Sequence, residues 1–385
     1  MSPIQEAYIV AAVRTPVGRR GGGLSEVHPT DLGAHVLREV VDRAGVDAAA
    51  VDDVIMGCVS QVGAQSFNLA RGAWLSAGLP ESVPGTTVDR QCGSSLQAVH
   101  FAAQAVMSGS ADVVIGAGVE VMSLVPIMSS TFVGRDNGLG DPFQGEGFRA
   151  RYPNDPSQFV GAQMVAEQWG IERSELEKYA LASHQRAARA WDEGRFDVEV
   201  APLAGVQRDE GIRPDSTLEK MAALPALPGF PRLTAAVASQ ISDGAAAVMV
   251  ASARSVEQHG LTPIARIVSM SVVGVDPVIM LTGPIPATRR VLDRIGLQID
   301  DIDLFEINEA FAAVVLAWMA DTGATHDRTN VNGGAIALGH PLGATGAKLV
   351  TTLVHELRRR GGRYGLVAIC EGGGTANATL LEAIA

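Results

Sequence analysis

Short, almost wholly apolar runs alternate along the chain with longer segments in which apolar residues recur at helical spacing. Ala7–Val13, Asp112–Gly116, Ala245–Val250, Ile264–Met270, Asp303–Ile307 and Gly365–Ile369 are such runs. Their lack of polar alternation predicts strands buried on both faces. Segments such as Cys92–Ser108 and His340–Arg358 read as the helices between them. Strands and helices in this order predict α/β layers around buried sheets.

The pattern occurs twice. Val40–Val46 followed by Asp52–Ile55 is echoed by Val291–Leu297 followed by Asp301–Leu304, at offsets of 251 and 250 residues. Upstream, Ala7–Val13 pairs with Ile264–Met270; downstream, the turn and helix from Cys92 to Ser108 pair with His340–Arg358, and Asp112–Gly116 pairs with Gly365–Ile369. Because the order of elements repeats along with the letters, the chain reads as a duplicated β-α unit. From about Val121 to Gln240 the character changes to Pro-, Arg-, Asn- and Asp-rich loops around an amphipathic segment, Val160–Trp191. The expected organisation is a first half, 1–120, completed by 241–262; an insertion, 121–240; and a second half, 263–385.

Composition narrows the function. Of 385 residues, 42 are acidic and 30 basic, a net charge of −12 with no run of five like charges. Nucleic-acid and anionic-membrane binding are disfavoured, and no apolar stretch approaches the ~18 residues of a membrane span. The termini carry no address signal, which makes a cytoplasmic location the default expectation. The cysteines, Cys58, Cys92 and Cys370, are three in number and widely spaced without a CxxC, suggesting neither a disulfide framework nor a zinc site.

Cys92 follows a strand and opens an alanine-rich helix, where free amides and the helix dipole favour a thiolate. A buried core cysteine is the plain alternative. His340 lies within Asn330–Gly346, a segment with five glycines, just before Pro341, read as the first residue of a helix. By the repeat it takes nearly the place in the second half that Cys92 takes in the first. A pseudo-twofold axis would therefore bring both helix starts to one point. Cys370 ends a strand and enters Glu371-Gly372-Gly373-Gly374, whose amides suit an oxyanion. Asn308 stands between a strand and a helix, where an N-cap is explanation enough. Cys58 reads as core.

Together these segments resemble the thiolase family over the whole chain: Val88–Ser95 around a nucleophilic cysteine, Asn330–Gly346 with its Gly-His-Pro, Cys370-Glu371-Gly372, and Asn308-Glu309-Ala310-Phe311-Ala312. The resemblance implies a duplicated five-layer αβαβα fold with an inserted loop domain. It also implies CoA-dependent cleavage of a 3-ketoacyl-CoA, with acetyl-CoA acetyltransferase activity in reverse. Cys92 would be the nucleophile and His340 its proton acceptor. Cys370 would protonate or deprotonate the acetyl carbon, and Asn308, through a water, would act with His340 on the enolate. The amides of Cys92 and Gly372 would hold the tetrahedral oxyanion.

Coenzyme A and acyl-CoA are implied as substrates, with no tightly bound cofactor, and Arg213 and Ser239 match positions that contact the nucleotide end and the pantetheine arm. Homodimers or homotetramers are implied as well. Where short-chain biosynthetic relatives carry His-Met-Gly, this chain has Ser157-Gln158-Phe159, and its general look is closer to thiolases of actinobacterial lipid and sterol breakdown. A ketoacyl-synthase-type condensing enzyme, a non-catalytic acyl carrier and a simple cysteine hydrolase are the competing readings. Cys370 argues against the first, and the intact set of site residues against the second.

Overall fold

In a computed structural model, which describes residues 5–384, the apolar runs become strands of one ten-stranded mixed sheet. These are β1 (Ala7–Arg14), β2 (Gly18–Arg19), β3 (Asp53–Gly57), β4 (Gly85–Val88), β5 (Val113–Val121), β6 (Ser242–Ser252), β7 (Ala265–Gly274), β8 (Leu304–Ile307), β9 (Tyr364–Glu371) and β10 (Thr375–Ala383). Their order across the sheet is β4-β3-β5-β6-β1-β7-β10-β9-β8, with the short β2 on β6. The two halves join where β1 meets β7 through the pairs Tyr8↔Arg266 and Ile9↔Ala265. Outward from that seam each half repeats the same arrangement. The parallel pair β3–β5 in the first is matched by β8–β9 in the second.

The helices that position the site are α1 (Pro29–Ala44), α2 (Leu69–Ser76), α3 (Ser94–Ser108), α4 (Gln158–Gln168), α5 (Arg173–Asp192), α6 (Pro284–Asp293), α7 (Ala312–Thr322) and α8 (Thr345–Arg360). Three apolar cores separate the layers. One lies between α1, α2 and the outer face of the first half. The second holds α3 and α8 between the halves, and the third packs α6 and α7 with part of the insertion against the second half. Strand residues alternate between cores as a pleat requires: Val113, Ile115 and Ala117 face the first, Val114 the second. The result is helix, sheet, helix, sheet, helix, the layering the resemblance implied.

Glycines make the central layer possible. A Cβ on Gly346, in the first turn of α8, would overlap the Leu96 amide of α3, and one on Gly57 would come 2.8 Å from the Gly343 carbonyl. The Ser95 hydroxyl accepts from the Ala347 amide at 3.0 Å. The two helix starts do meet.

Some boundaries differ from those expected. Pro341 is extended at ψ 105 and a 3-10 turn, Leu342–Ala344, intervenes, so α8 begins at Thr345 rather than at Pro341. The helix starts Ser94 and Thr345 stand 251 residues apart, which makes Gly343 the counterpart of Cys92. The amphipathic stretch Val160–Trp191 is two helices, α4 and α5, broken at Gly170 with φ +64. The insertion is tied to β1 through buried Arg14, which bonds Glu199 at 2.5 Å and Asp209 at 2.8 and 3.1 Å. No helix of the described residues is long and apolar enough to cross a membrane.

Candidate active site

The turn carrying Cys92 is locked from within. Gln91 is left-handed at φ 47, a conformation costing a residue with a side chain about 1–2 kcal/mol. Asp89 Oδ1 accepts from its amide at 2.6 Å. The Ser94 hydroxyl donates to the Gln91 carbonyl at 2.6 Å and accepts from the Arg90 amide at 2.9 Å. The backbone amides of Cys92 itself and of Gly372 lie by the sulfur and favour its thiolate.

A thiolate-favouring setting was expected here, and the structure corrects that expectation. Protein packed around the sulfur outweighs the amides, and Glu371 adds to it once its carboxyl is ionised, so the thiol is pushed up to about 12. Burial thus favours the neutral thiol at Cys92. Cys370 is buried on β9 and its thiol is also raised, first by burial and then by the nearby Cys92.

His340 is held in a single tautomer. The Thr345 hydroxyl has a single proton, which it donates to the Pro341 carbonyl at 2.8 Å. It must therefore accept from His340 Nδ1–H at 2.6 Å, which leaves Nε2 with a lone pair that accepts from Asn308 Nδ2 at 3.3 Å. Burial, and next the Lys348 charge, lower this imidazole to about 3. The Ser242 hydroxyl accepts from the His340 amide at 3.0 Å.

Asn308 is no N-cap, because α7 begins only at Ala312 after Phe311. Its amide donates to the Ala368 carbonyl at 3.0 Å, and its buried Oδ1 accepts from no protein group. Beside it, buried Glu309 accepts from Tyr179 at 2.8 Å, Ser183 at 2.7 Å, Asn330 at 3.0 Å and the Ile336 amide at 3.1 Å. Glu309 thus clamps α5 of the insertion to the glycine-rich loop that carries His340. Sequence reading gave no role to Glu309, Thr345, Ser242 or Asn330. Thr345 lies five residues past His340, with no motif to connect them. Cys58 is fully buried in the first-half core, as read.

A groove of about 480 Å³ lies against the insertion, lined among others by His184, Arg213, Lys220, Met221, Gln240 and Ile336. Arg213 is exposed and its amide donates to His184 Nδ1 at 3.2 Å. Ser239 sits between the lining residues Ala238 and Gln240 without lining the groove, its amide bonded to the Ala310 carbonyl at 2.9 Å. Among the described residues no group of three or more His, Cys, Asp or Glu is placed to hold a metal.

Family models decide the kinship: the thiolase N-terminal domain matches residues 7–254 and the thiolase C-terminal domain residues 261–383. The chain belongs to the thiolase family. This thiolase is 56% identical over 383 residues to the steroid 3-ketoacyl-CoA thiolase FadA6 of Mycobacterium tuberculosis, covering 98% of this chain and 94% of that one. It is 44% identical to the 3-oxoadipyl-CoA/3-oxo-5,6-dehydrosuberyl-CoA thiolase of Escherichia coli, over 99% and 100% of the two chains. The Bacillus anthracis acetyl-CoA acetyltransferase superposes with a TM-score of 0.90 at 38% identity over the full length of both chains. Human mitochondrial 3-ketoacyl-CoA thiolase in complex with CoA gives 0.89, also at 38%, over 99% and 98%. As a thiolase the chain is an acyltransferase.

Proposed function

We propose that this thiolase cleaves a 3-ketoacyl-CoA with free CoA, giving acetyl-CoA and an acyl-CoA two carbons shorter, and that its acyl groups are bulky ones of the steroid-degradation type. One observation carries the reaction: the Cys92 sulfur lies by two backbone amides, and the Thr345 hydroxyl holds His340 in the tautomer whose Nε2 carries the lone pair. Cys92 Sγ attacks the keto carbon as His340 takes the thiol proton. The oxygen that gains charge is held by the amides of Cys92 and Gly372. Breaking the bond between the α and keto carbons leaves the acyl group on Cys92 and an acetyl-CoA enolate, whose oxygen lies toward Asn308 and His340. Cys370 gives the enolate carbon its proton, then takes one from the thiol of the incoming CoA, which attacks the thioester and releases Cys92 as a thiolate that recovers its proton from His340.

The steroid-type substrate rests on the 56% identity to FadA6 and on Ser157-Gln158-Phe159 at the acyl-side position. The test is thiolysis of acetoacetyl-CoA beside long, branched and ring-bearing 3-ketoacyl-CoAs, followed as acetyl-CoA formed. A kcat/KM at least tenfold higher for ring-bearing substrates is expected; preference for acetoacetyl-CoA would assign short-chain metabolism instead. Acyl-CoA binding without turnover of any chain would make the protein a carrier.

The groove suits CoA by its chemistry, with Arg213 and Lys220 for phosphates and Met221, Leu224 and Ile336 for the apolar stretches of the arm. Arg213→Ala is expected to raise KM for CoA about 5–10-fold, the worth of one exposed charge-assisted contact, and to leave kcat within about twofold. Initial rates at varied CoA read this directly, and an unchanged KM would place the nucleotide elsewhere. Ser239 belongs to the same proposal through its backbone, as a spacer between Ala238 and Gln240. Self-association is proposed as well, supported by β4 ending the sheet with no outer partner among the described residues and by Phe67, 93% exposed in the loop before α2.

A further inference from the structure

The duplication gives the chain two glutamates at equivalent places, and their surroundings differ in kind. Glu120, one residue before the end of β5, and Glu371, at the end of β9, stand 251 residues apart, the offset that also relates the parallel registers of the two halves. Glu120 accepts from the amides of Val59 at 2.9 Å, Ser60 at 3.0 Å and Gly343 at 2.9 Å and from Gln65 Nε2 at 2.8 Å. Four donors are what an ionised carboxylate asks for. Glu371, equally buried, has one, the Thr375 hydroxyl at 2.6 Å to Oε2.

Its other oxygen, Oε1, has no partner, and neither does Oδ1 of the fully buried Asn377. A Cβ on Gly93 would overlap the first and stand 2.8 Å from the second, so the two acceptors converge on the residue that follows Cys92. Asn377 already donates from Nδ2 to the Gly93 carbonyl at 3.2 Å. Turning its amide over would set Oδ1 against that carbonyl and merely move the conflict. A proton on Glu371 Oε1 resolves it, because one hydrogen bond then satisfies both orphaned atoms.

We propose that Glu371 is a positioning residue that works as a neutral acid, donating from Oε1 to Asn377 Oδ1, and so braces the Cys92 turn without setting a negative charge behind the sulfur. The inference rests on the reading of Cys92 as the nucleophile. The charged and titratable groups around Glu371 are Asp89 and Arg90 in the loop after β4, Cys92 itself and Cys370 on its own strand. Arg90 makes no hydrogen bond to either oxygen, and its buried Nε is itself without a partner. Burial holds the carboxyl up at about 8, so it loses its proton to solvent only on the alkaline side. Once ionised it repels both Asn377 Oδ1 and a thiolate on Cys92, and the two ionisations oppose each other.

The test reads Cys92 alone: its rate of alkylation by iodoacetamide, from the mass of the Cys92 peptide, between pH 7 and 10. This holds whether or not the protein turns over any substrate, so a failed activity assay and a failed inference remain distinct. The wild-type rate is expected to climb with pH, flatten as Glu371 ionises, and climb again. Glu371→Gln should give one unbroken climb and react about tenfold faster at the alkaline end, the effect of one unit in the thiol pKa. Superimposable profiles overturn the proposal. Thr375→Val, a near-isosteric change at a half-buried site, removes the one donor to the carboxylate and should move the flattening to higher pH. A break left in place overturns the proposal equally, even if Glu371→Gln does not fold.

Discussion

Cys92→Ser is expected to lower kcat for thiolysis by about 10⁴-fold or more, with CoA binding and folded stability retained. The replacement is nearly isosteric, and the turn that aims the side chain is held by Asp89, Ser94 and left-handed Gln91 rather than by the sulfur. What is lost is nucleophilicity. With the thiol already pushed up to about 12, the proposed reaction depends on His340 accepting the proton as the carbon–sulfur bond forms. A serine hydroxyl in that low-dielectric setting is a far weaker acid, and the same imidazole cannot make up the difference. Acyl-enzyme trapping with a 3-ketoacyl-CoA and no CoA gives the second readout: mass added to wild type at the Cys92 peptide, none in the variant. Residual kcat within tenfold of wild type would move the nucleophile elsewhere, with Cys370 the next candidate.

The duplication was legible because both copies keep their helix starts and strand letters, and from it came the expectation that Cys92 and His340 meet. The structure brings their turns together through Ser95, Gly343 and Gly346. What was not legible is how each group is tuned. Free amides ahead of α3 argued for a thiolate, but the cost of surrounding a sulfur with protein is a three-dimensional quantity, and Glu371 reaches Cys92 from a strand near the other end of the chain. Nor could the sequence tell Glu120 from Glu371. Their flanking letters give no hint that one meets four donors and the other an amide oxygen. The proline before α8 misled in a simpler way: fixed φ permits a helix start without requiring one, and the 3-10 turn after Pro341 places Thr345 under the imidazole instead.

His340→Ala is expected to cost about 10²–10⁴-fold in kcat/KM, the usual worth of a positioned base, and to leave CoA affinity little changed. The pH behaviour separates this role from a structural one. Because burial lowers the wild-type imidazole to about 3, Nε2 stays unprotonated across the working range. The wild-type rate should therefore show no acid limb near the ordinary histidine value of 6.5. Stability carries the complementary signature. Below 6.5 the unfolded chain binds a proton at this histidine that the native state refuses until about 3, so the unfolded state holds more protons and native stability falls as pH drops through that window. Each unit of that shift corresponds to about 1.4 kcal/mol. His340→Ala removes one such group while His100, also lowered to about 3 by burial, keeps its own contribution. Denaturant titrations at steps from pH 7 to pH 4 should thus show the stability gap between wild type and His340→Ala closing as the solution is acidified. A gap that stays constant, or a kcat/KM that halves near pH 6.5 in wild type, would mean that the imidazole takes its proton from solvent, and the base in the first step would have to be sought in another group.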